Sequence, residues 1–134
     1  MKLYEQLQAH CPCQGDACVI HLQEVTDLEW DRVVFIRMNA IPSKVAAALG
    51  VSRIELPEFE DRILFFEGDR ILSIDRRIYH PDTPYDRTVF LDFSAIDRNF
   101  EVFSRNAAVF SLVCSLSGDR RNIMLVPRLD GHQP

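Results

Sequence analysis

At 134 residues, 47% of them hydrophobic and 26% charged, the chain has the size and balance of one folded domain and not those of a disordered segment. A net charge of −5 has the wrong sign for a general nucleic-acid binder, which needs a basic footprint to neutralise phosphates. No apolar run approaches the roughly 20 residues that cross a bilayer as a helix.

The N-terminal MKLYEQLQAH lacks the apolar stretch of a signal peptide. The expected location is therefore the cytoplasm, or the periplasm if an export signal has been removed. Residues 2–9 set Leu3, Tyr4 and Leu7 at helical spacing and predict a short helix. Pro12 and Gly15 end it and open an irregular stretch from Cys11 to Cys18. Residues 19–25 (VIHLQEV) alternate loosely and read as a strand. Residues 30–37 (WDRVVFIR) are a stronger strand, with Val34 and Ile36 on one face and Val33 and Phe35 on the other. Two apolar faces are the mark of an interior strand. Residues 39–50 carry helix punctuation: Asn39 or Ser43 as cap, Pro42 in the first turn, an apolar Val45/Leu49 pair and Gly50 as terminator.

An acidic loop, ELPEFED, then leads into residues 61–78, around which the rest of the chain is organised. Two apolar runs flank Gly68-Asp69, a two-residue β-hairpin connection. An uninterrupted register sets Glu67 against Arg70, Phe65 against Leu72 and Ile63 against Ile74. It gathers Phe59, Ile63, Phe65, Leu72, Ile74 and Ile78 on a core face. Leu64, Phe66 and Ile71 fall on the other face, with Arg62 and Asp75 as a cross-strand ion pair. YHPDTPYD is a loop, residues 88–93 a short strand, and residues 94–99 a turn. A second hairpin, residues 107–116 and 121–126, closes at Gly118-Asp119. There Cys114 faces Ile123 and Leu112 faces Leu125, with Ala108 and Phe110 continuing the apolar face. The expected fold is α+β: a largely antiparallel sheet of about five or six strands with two short helices. It forms one domain over residues 1–127, followed by a polar tail at 128–134.

The order Leu28-Glu29-Trp30-Asp31-Arg32-Val33, then a helix from Ser43 to Leu49-Gly50, then a strand-Gly-strand hairpin, resembles a group of small bacterial proteins of unknown function. A further matching piece is Ser104-Arg105-Asn106-Ala107-Ala108-Val109-Phe110. The likeness covers roughly residues 26–127 and rests on patterning, not on a catalytic signature. It implies an α+β fold and no particular activity. Many chains of that group carry an export or lipoprotein signal, a feature this N-terminus does not show.

Two constellations carry chemistry. His10, Cys11, Cys13 and Cys18 supply soft ligands that could close a tetrahedral zinc site, although C-x-C-x4-C is not a standard knuckle. The plainer alternatives are reduced cysteines or a disulfide such as Cys11–Cys18 in an exported protein. Cys114 reads as a small core hydrophobe. His80, Asp82, Tyr85 and Asp86 crowd one loop without a legible nucleophile, so loop chemistry is the expected role. The second constellation is acidic: Asp27, Glu29 and Asp31 precede one strand, and Glu55, Glu58 and Glu60 precede another. If those entry loops gather at one end, they form a negative docking field beside Leu64, Phe66 and Ile71. The function expected on this ground is non-enzymatic protein binding without a cofactor, for example an immunity-type inhibitor of a basic bacterial toxin or effector. The alternative is a metal- or thiol-dependent protein acting through the Cys11–Cys18 loop.

Overall fold

The computed structural model describes residues 2–13 and 18–128. In chain order they form α1 (Leu3–His10), β1 (Cys18–His21), α2 (Leu22–Val25), β2 (Arg32–Ile36), α3 (Pro42–Leu49), β3 (Glu60–Glu67), β4 (Arg70–Ile78), β5 (Val89–Leu91), β6 (Phe100–Ser104), β7 (Val109–Ser117) and β8 (Arg120–Pro127). Eight strands in two four-stranded sheets replace the single sheet of five or six expected from the sequence, and the class is α+β. One sheet runs β4-β3-β2-β6 and the other β1-β7-β8-β5. Pairing is antiparallel except where β5 lies parallel to β8. Alternating patterns show which face of a hairpin is apolar. They do not show whether two hairpins meet edge to edge or face to face.

Here they meet face to face. Val33 and Phe35 of β2, Ile63 and Phe65 of β3, Phe110 and Leu112 of β7, and Ile123 and Leu125 of β8 share one buried core. Phe35 touches the rings of Phe103 and Phe110 at 5.8 and 5.6 Å between centroids, edge to face in both cases. That geometry suits the ring quadrupoles and joins the two sheets directly. Leu3, Tyr4 and Leu7 plug the same core from α1, as their helical spacing requires. The other face of β2 and β3 (Val34, Ile36, Leu64, Phe66) is covered by Val45 and Leu49 of α3. Pro42 opens α3, but its cap residue is Ile41, with no side-chain hydrogen bond from Asn39 or Ser43. Gly50, at φ +72°, closes it by donating to Ala46 and Ala47 carbonyls.

Gly68 and Gly118 have φ of +62° and +64°, and the aspartates after them do not share that sign. Glycine first at positive φ is the type II′ pattern, whose twist suits a two-residue hairpin. The β7–β8 register is as expected, with Cys114 opposite Ile123 and Leu112 opposite Leu125. The β3–β4 register is not. Glu67 faces Arg70 and Phe66 faces Ile71, but a β-bulge then shifts the pairing to Phe65↔Ser73, Leu64↔Ile74 and Ile63↔Asp75. The extra residue is Leu72, which packs into the shared core. Beyond it every β4 side chain is on the face opposite to the one the simple register assigns. Arg62 therefore lies opposite Arg76, and the expected Arg62–Asp75 pair does not form.

Two smaller differences follow from length. Residues 19–25 divide into the four-residue β1 and the single turn α2. Strand β6, FEVFS, was not expected, yet its pairing with β2 makes β2 an interior strand. The tail, apart from Arg128, lies outside the described residues.

Candidate functional site

The acidic residues do not gather. β2 and β3 are antiparallel neighbours, so the loop entering β2 and the loop entering β3 sit at opposite ends of the pair. The strand between Glu60 and Phe66 separates them by about 20 Å. Asp27 and Glu29 are exposed. Asp31 accepts a 2.7 Å hydrogen bond from the Gly68 amide and so fixes the hairpin tip. Its neighbour Trp30 is fully occupied by structure: the indole N–H donates to Thr26 Oγ1 at 2.7 Å, and Arg105 lies over its ring and donates to its carbonyl.

At the other end, Glu58 is exposed and Glu55 pairs with Arg53 in open solvent. Glu60 is buried, its side chain 2% exposed, between Arg62 at 3.0 Å and Arg76 at 2.6 Å. Burial pushes its pKa up, but hydrogen bonds from Arg76 and Arg62 outweigh burial and leave it lowered. It is a neutralised core ion and offers no charge to a partner. Leu64 and Phe66 lie beneath α3 and cannot be reached, whereas Ile71 is exposed.

Of the alternatives left open for the cysteines, the structure has the Cys11–Cys18 disulfide, and only the second bond, at Cys114, was not expected. Cys11 is bonded to Cys18, and Cys13 to Cys114 of β7. Disulfide sulfurs are not thiolates, so Cys11, Cys13 and Cys18 do not present the ligand set that a zinc site with His10 requires. Among the described residues no cluster of His, Cys, Asp and Glu could hold a metal ion. Cys114 is a cross-link, not a free core thiol; its partner is 101 residues away in sequence, which no spacing rule could identify.

What the fold does bring together surrounds β4. On its inner side, between the edges of the two sheets, lies a cleft of about 560 Å³. Its floor is apolar (Phe35, Ile63, Val89, Leu91, Met124), and charged groups from β3, β4 and the segments that follow β2 and β5 line it. Arg77 is held at its side, 3.6 Å from the Tyr85 ring centroid and 4.3 Å from that of Phe90, with Asp61 as counter-ion at 3.4 Å. Tyr85 has a raised pKa because it is desolvated, despite the opposing charge of Arg77. Asp75 is pushed up to about 6, first by burial, against the favourable amide of Leu3 at the start of α1. Of the crowded loop singled out in the sequence, Tyr85 reaches this cleft, while His80 and Asp82 stay in solvent.

The outer side of β4 is a row of exposed isoleucines, Ile71, Ile74 and Ile78, each 40–41% accessible. Phe59 stands near the row's end, where its carbonyl accepts from the Tyr79 amide. Phe59 is 62% exposed and held at φ +62°, an unusual conformation for a bulky residue. β4 is a sheet edge, and among the described residues its backbone bonds only to β3. No helix among the described residues is long and apolar enough to cross a membrane. Comparison with known proteins finds no matching family model, no matching curated protein and no matching solved structure.

Proposed function

We propose that this chain is a protein-binding domain whose partner lays an extended apolar segment along the free edge of β4. The supporting observation is the length of that edge. The other edge strands have four, three and five residues, while β4 has nine and carries the exposed isoleucines. Short edges resist unwanted pairing, and a long apolar one invites an added strand. Charge along the edge is balanced. Arg70, Arg76 and Arg77 of β4 are matched by Glu67, Glu60 and Asp61 of β3, so the edge offers backbone and apolar contact with little net field. The reading commits to a different protein as the occupant, and pairing of β4 with a second copy is an outcome of the test below.

An immunity-type inhibitor of a toxin or effector is the specific role we put forward within this reading, supported by small size and a net charge of −5. Steering by one acidic face is not part of it. The two disulfides support a place of work that is oxidising, such as the periplasm, over the cytoplasm. The test is binding to the product of the adjacent gene, measured with Ile74→Lys/Ile78→Lys and with Glu55→Lys/Glu58→Lys. The isoleucine pair should weaken binding at least about tenfold through a faster off-rate, and the glutamate pair should change it little. The reverse ranking would replace the edge with the acidic loop. Sedimentation showing that the chain dimerises through β4 would replace the foreign partner with a second copy.

A further inference from the structure

From the cleft on the inner side of β4 we infer a second binding site, one for a small amphipathic anion whose carboxylate-like head is held by Arg37 and whose apolar body enters between the sheets. Its volume of about 560 Å³ falls within the ~300–1,000 Å³ of small-molecule sites. The floor reaches the shared core, since Phe35, Ile63, Val89 and Leu91 belong to both. An apolar floor below a charged rim selects a ligand with one polar end.

The sign of that end is taken from the charged lining group that has no hydrogen-bonding or ion-pair partner of its own among the described residues. Arg62 is committed to Glu60 and Arg77 to Asp61. Asp61 also accepts from the Met38 amide, Asp92 accepts from the Ser94 amide, and Asp75 faces the Leu3 amide at the start of α1. Arg37 is different. Its guanidinium lies 5.2 Å from the Phe93 ring centroid and makes no hydrogen bond or ion pair among the described residues. Resting on an aromatic face fixes the guanidinium plane and leaves its N–H edge free for a bidentate anion. Asn39 and Ser94 are exposed on the same rim and add neutral hydrogen-bonding groups.

This site is separate from the edge proposed for a protein partner, because it uses the opposite side of β4. The test is calorimetric titration with octanoate, alongside octanol and octylamine at the same concentrations. Octanoate should bind saturably with one site per chain, more tightly than either analogue. Arg37→Ala, on an exposed side chain, should weaken it at least about tenfold with unchanged thermal stability, and Arg37→Lys should restore part of the loss. Amide shifts on adding octanoate should centre on residues 37–39 and 91–94, and the Ile74→Lys/Ile78→Lys protein should bind octanoate normally. Octylamine binding as well as octanoate, indifference to Arg37→Ala, or shifts centred elsewhere would each overturn the assignment.

Discussion

The hairpins at Gly68 and Gly118 share the tripeptide Gly-Asp-Arg, a glycine at positive φ and equivalent first pairs, Glu67 with Arg70 and Ser117 with Arg120. From there they diverge. β7 and β8 stay in step from Ser117↔Arg120 to Phe110↔Pro127. β3 and β4 hold the turn's register through Phe66↔Ile71 and then shift by one residue. A tight turn dictates only the pairs beside it, and later pairs answer to what each face meets. The inner face of β7–β8 meets core without a break from Phe110 to Cys114 and from Ile123 to Leu125, while Leu116, beside the turn, is exposed. β4 meets core at Leu72, then the start of α1 at Asp75, then the aromatic bracket around Arg77. The shift turns Ile74 and Ile78 outward and Asp75 and Arg77 inward, creating both the exposed row and one wall of the cleft.

The second hairpin is also the one tied covalently to the N-terminal segment. Removing the Cys13–Cys114 bond with paired alanines opens a link across 101 residues, worth about 4–5 kcal/mol by loop-closure entropy. Removing Cys11–Cys18, seven residues apart, should cost about 2–3 kcal/mol. Urea unfolding of the two double variants should preserve that order. Equal losses would show that Cys13–Cys114 does not hold α1 to the second sheet.

In the first hairpin the corresponding anchor is electrostatic. Glu60→Ala would leave Arg62, 16% exposed, directly across from Arg76 with no carboxylate between them. Breaking a buried ion pair costs about 3–5 kcal/mol, and about 2–4 is expected here because Arg76 is half exposed. Glu67→Ala, at the exposed tip pair with Arg70, should cost less than about 1 kcal/mol. Chemical denaturation of both variants checks the contrast; similar losses would mean that Glu60 is solvated.

The divergence also marks where the sequence stopped being informative. Hairpin tips, the two faces of β2 and the covering helix α3 follow from local period and punctuation, and residues 30–50, 65–71 and 107–126 announce them. The bulge at Leu72 has no local signature: a Leu between Ile71 and Ser73 fits either register, and packing against residues far away in sequence decides. The cleft depends on that decision, so Arg37, Asp75 and Arg77 could not be picked out as neighbours. The acidic loops misled for a topological reason. A single acidic field requires adjacent strands to share an entry end, and antiparallel pairing of β2 with β3 forbids it. Cys114 looked like core because its alternation is that of a core residue, and it does pack against the core as a disulfide.

Asp75 gives a pH test of the shifted register, which places it inward. Its pKa rises from 3.8 to about 6 in the folded protein, so the native state holds the proton more tightly than the unfolded chain. The stability this adds is complete below about pH 3.8 and is lost as pH rises through 6. Asp75→Asn should therefore stabilise the protein at pH 7 by about 1–2 kcal/mol, a value discounted for partial exposure, and lose that advantage below pH 4. Glu60 acts in the opposite sense, its contribution fading as pH falls through its lowered pKa. The comparison is therefore between variant and parent at each pH, by thermal melts. No difference at pH 7 would place Asp75 outward, as the uninterrupted register does.

The smallest expected effect separates the two registers most directly. In the uninterrupted pairing Ile74 faces Ile63 inside the core, and Ile74→Thr would bury a hydroxyl and remove apolar volume, at about 2–3 kcal/mol. In the bulged pairing Ile74 lies opposite Leu64 on the outer face, 40% exposed and beyond the reach of α3. Threonine there keeps the β-branched shape that suits a strand and can hydrate its hydroxyl, so the loss should be below about 1 kcal/mol. Ile123→Thr in the second hairpin is the internal standard, since Ile123 is fully buried opposite Cys114 and its change should carry the full core cost. Unfolding of the two variants under one condition gives the answer as a ratio, free of uncertainty in absolute stability. A loss at Ile74 equal to that at Ile123 would return Ile74 to the core. It would remove the exposed row, and with it the edge on which a partner strand is proposed to lie.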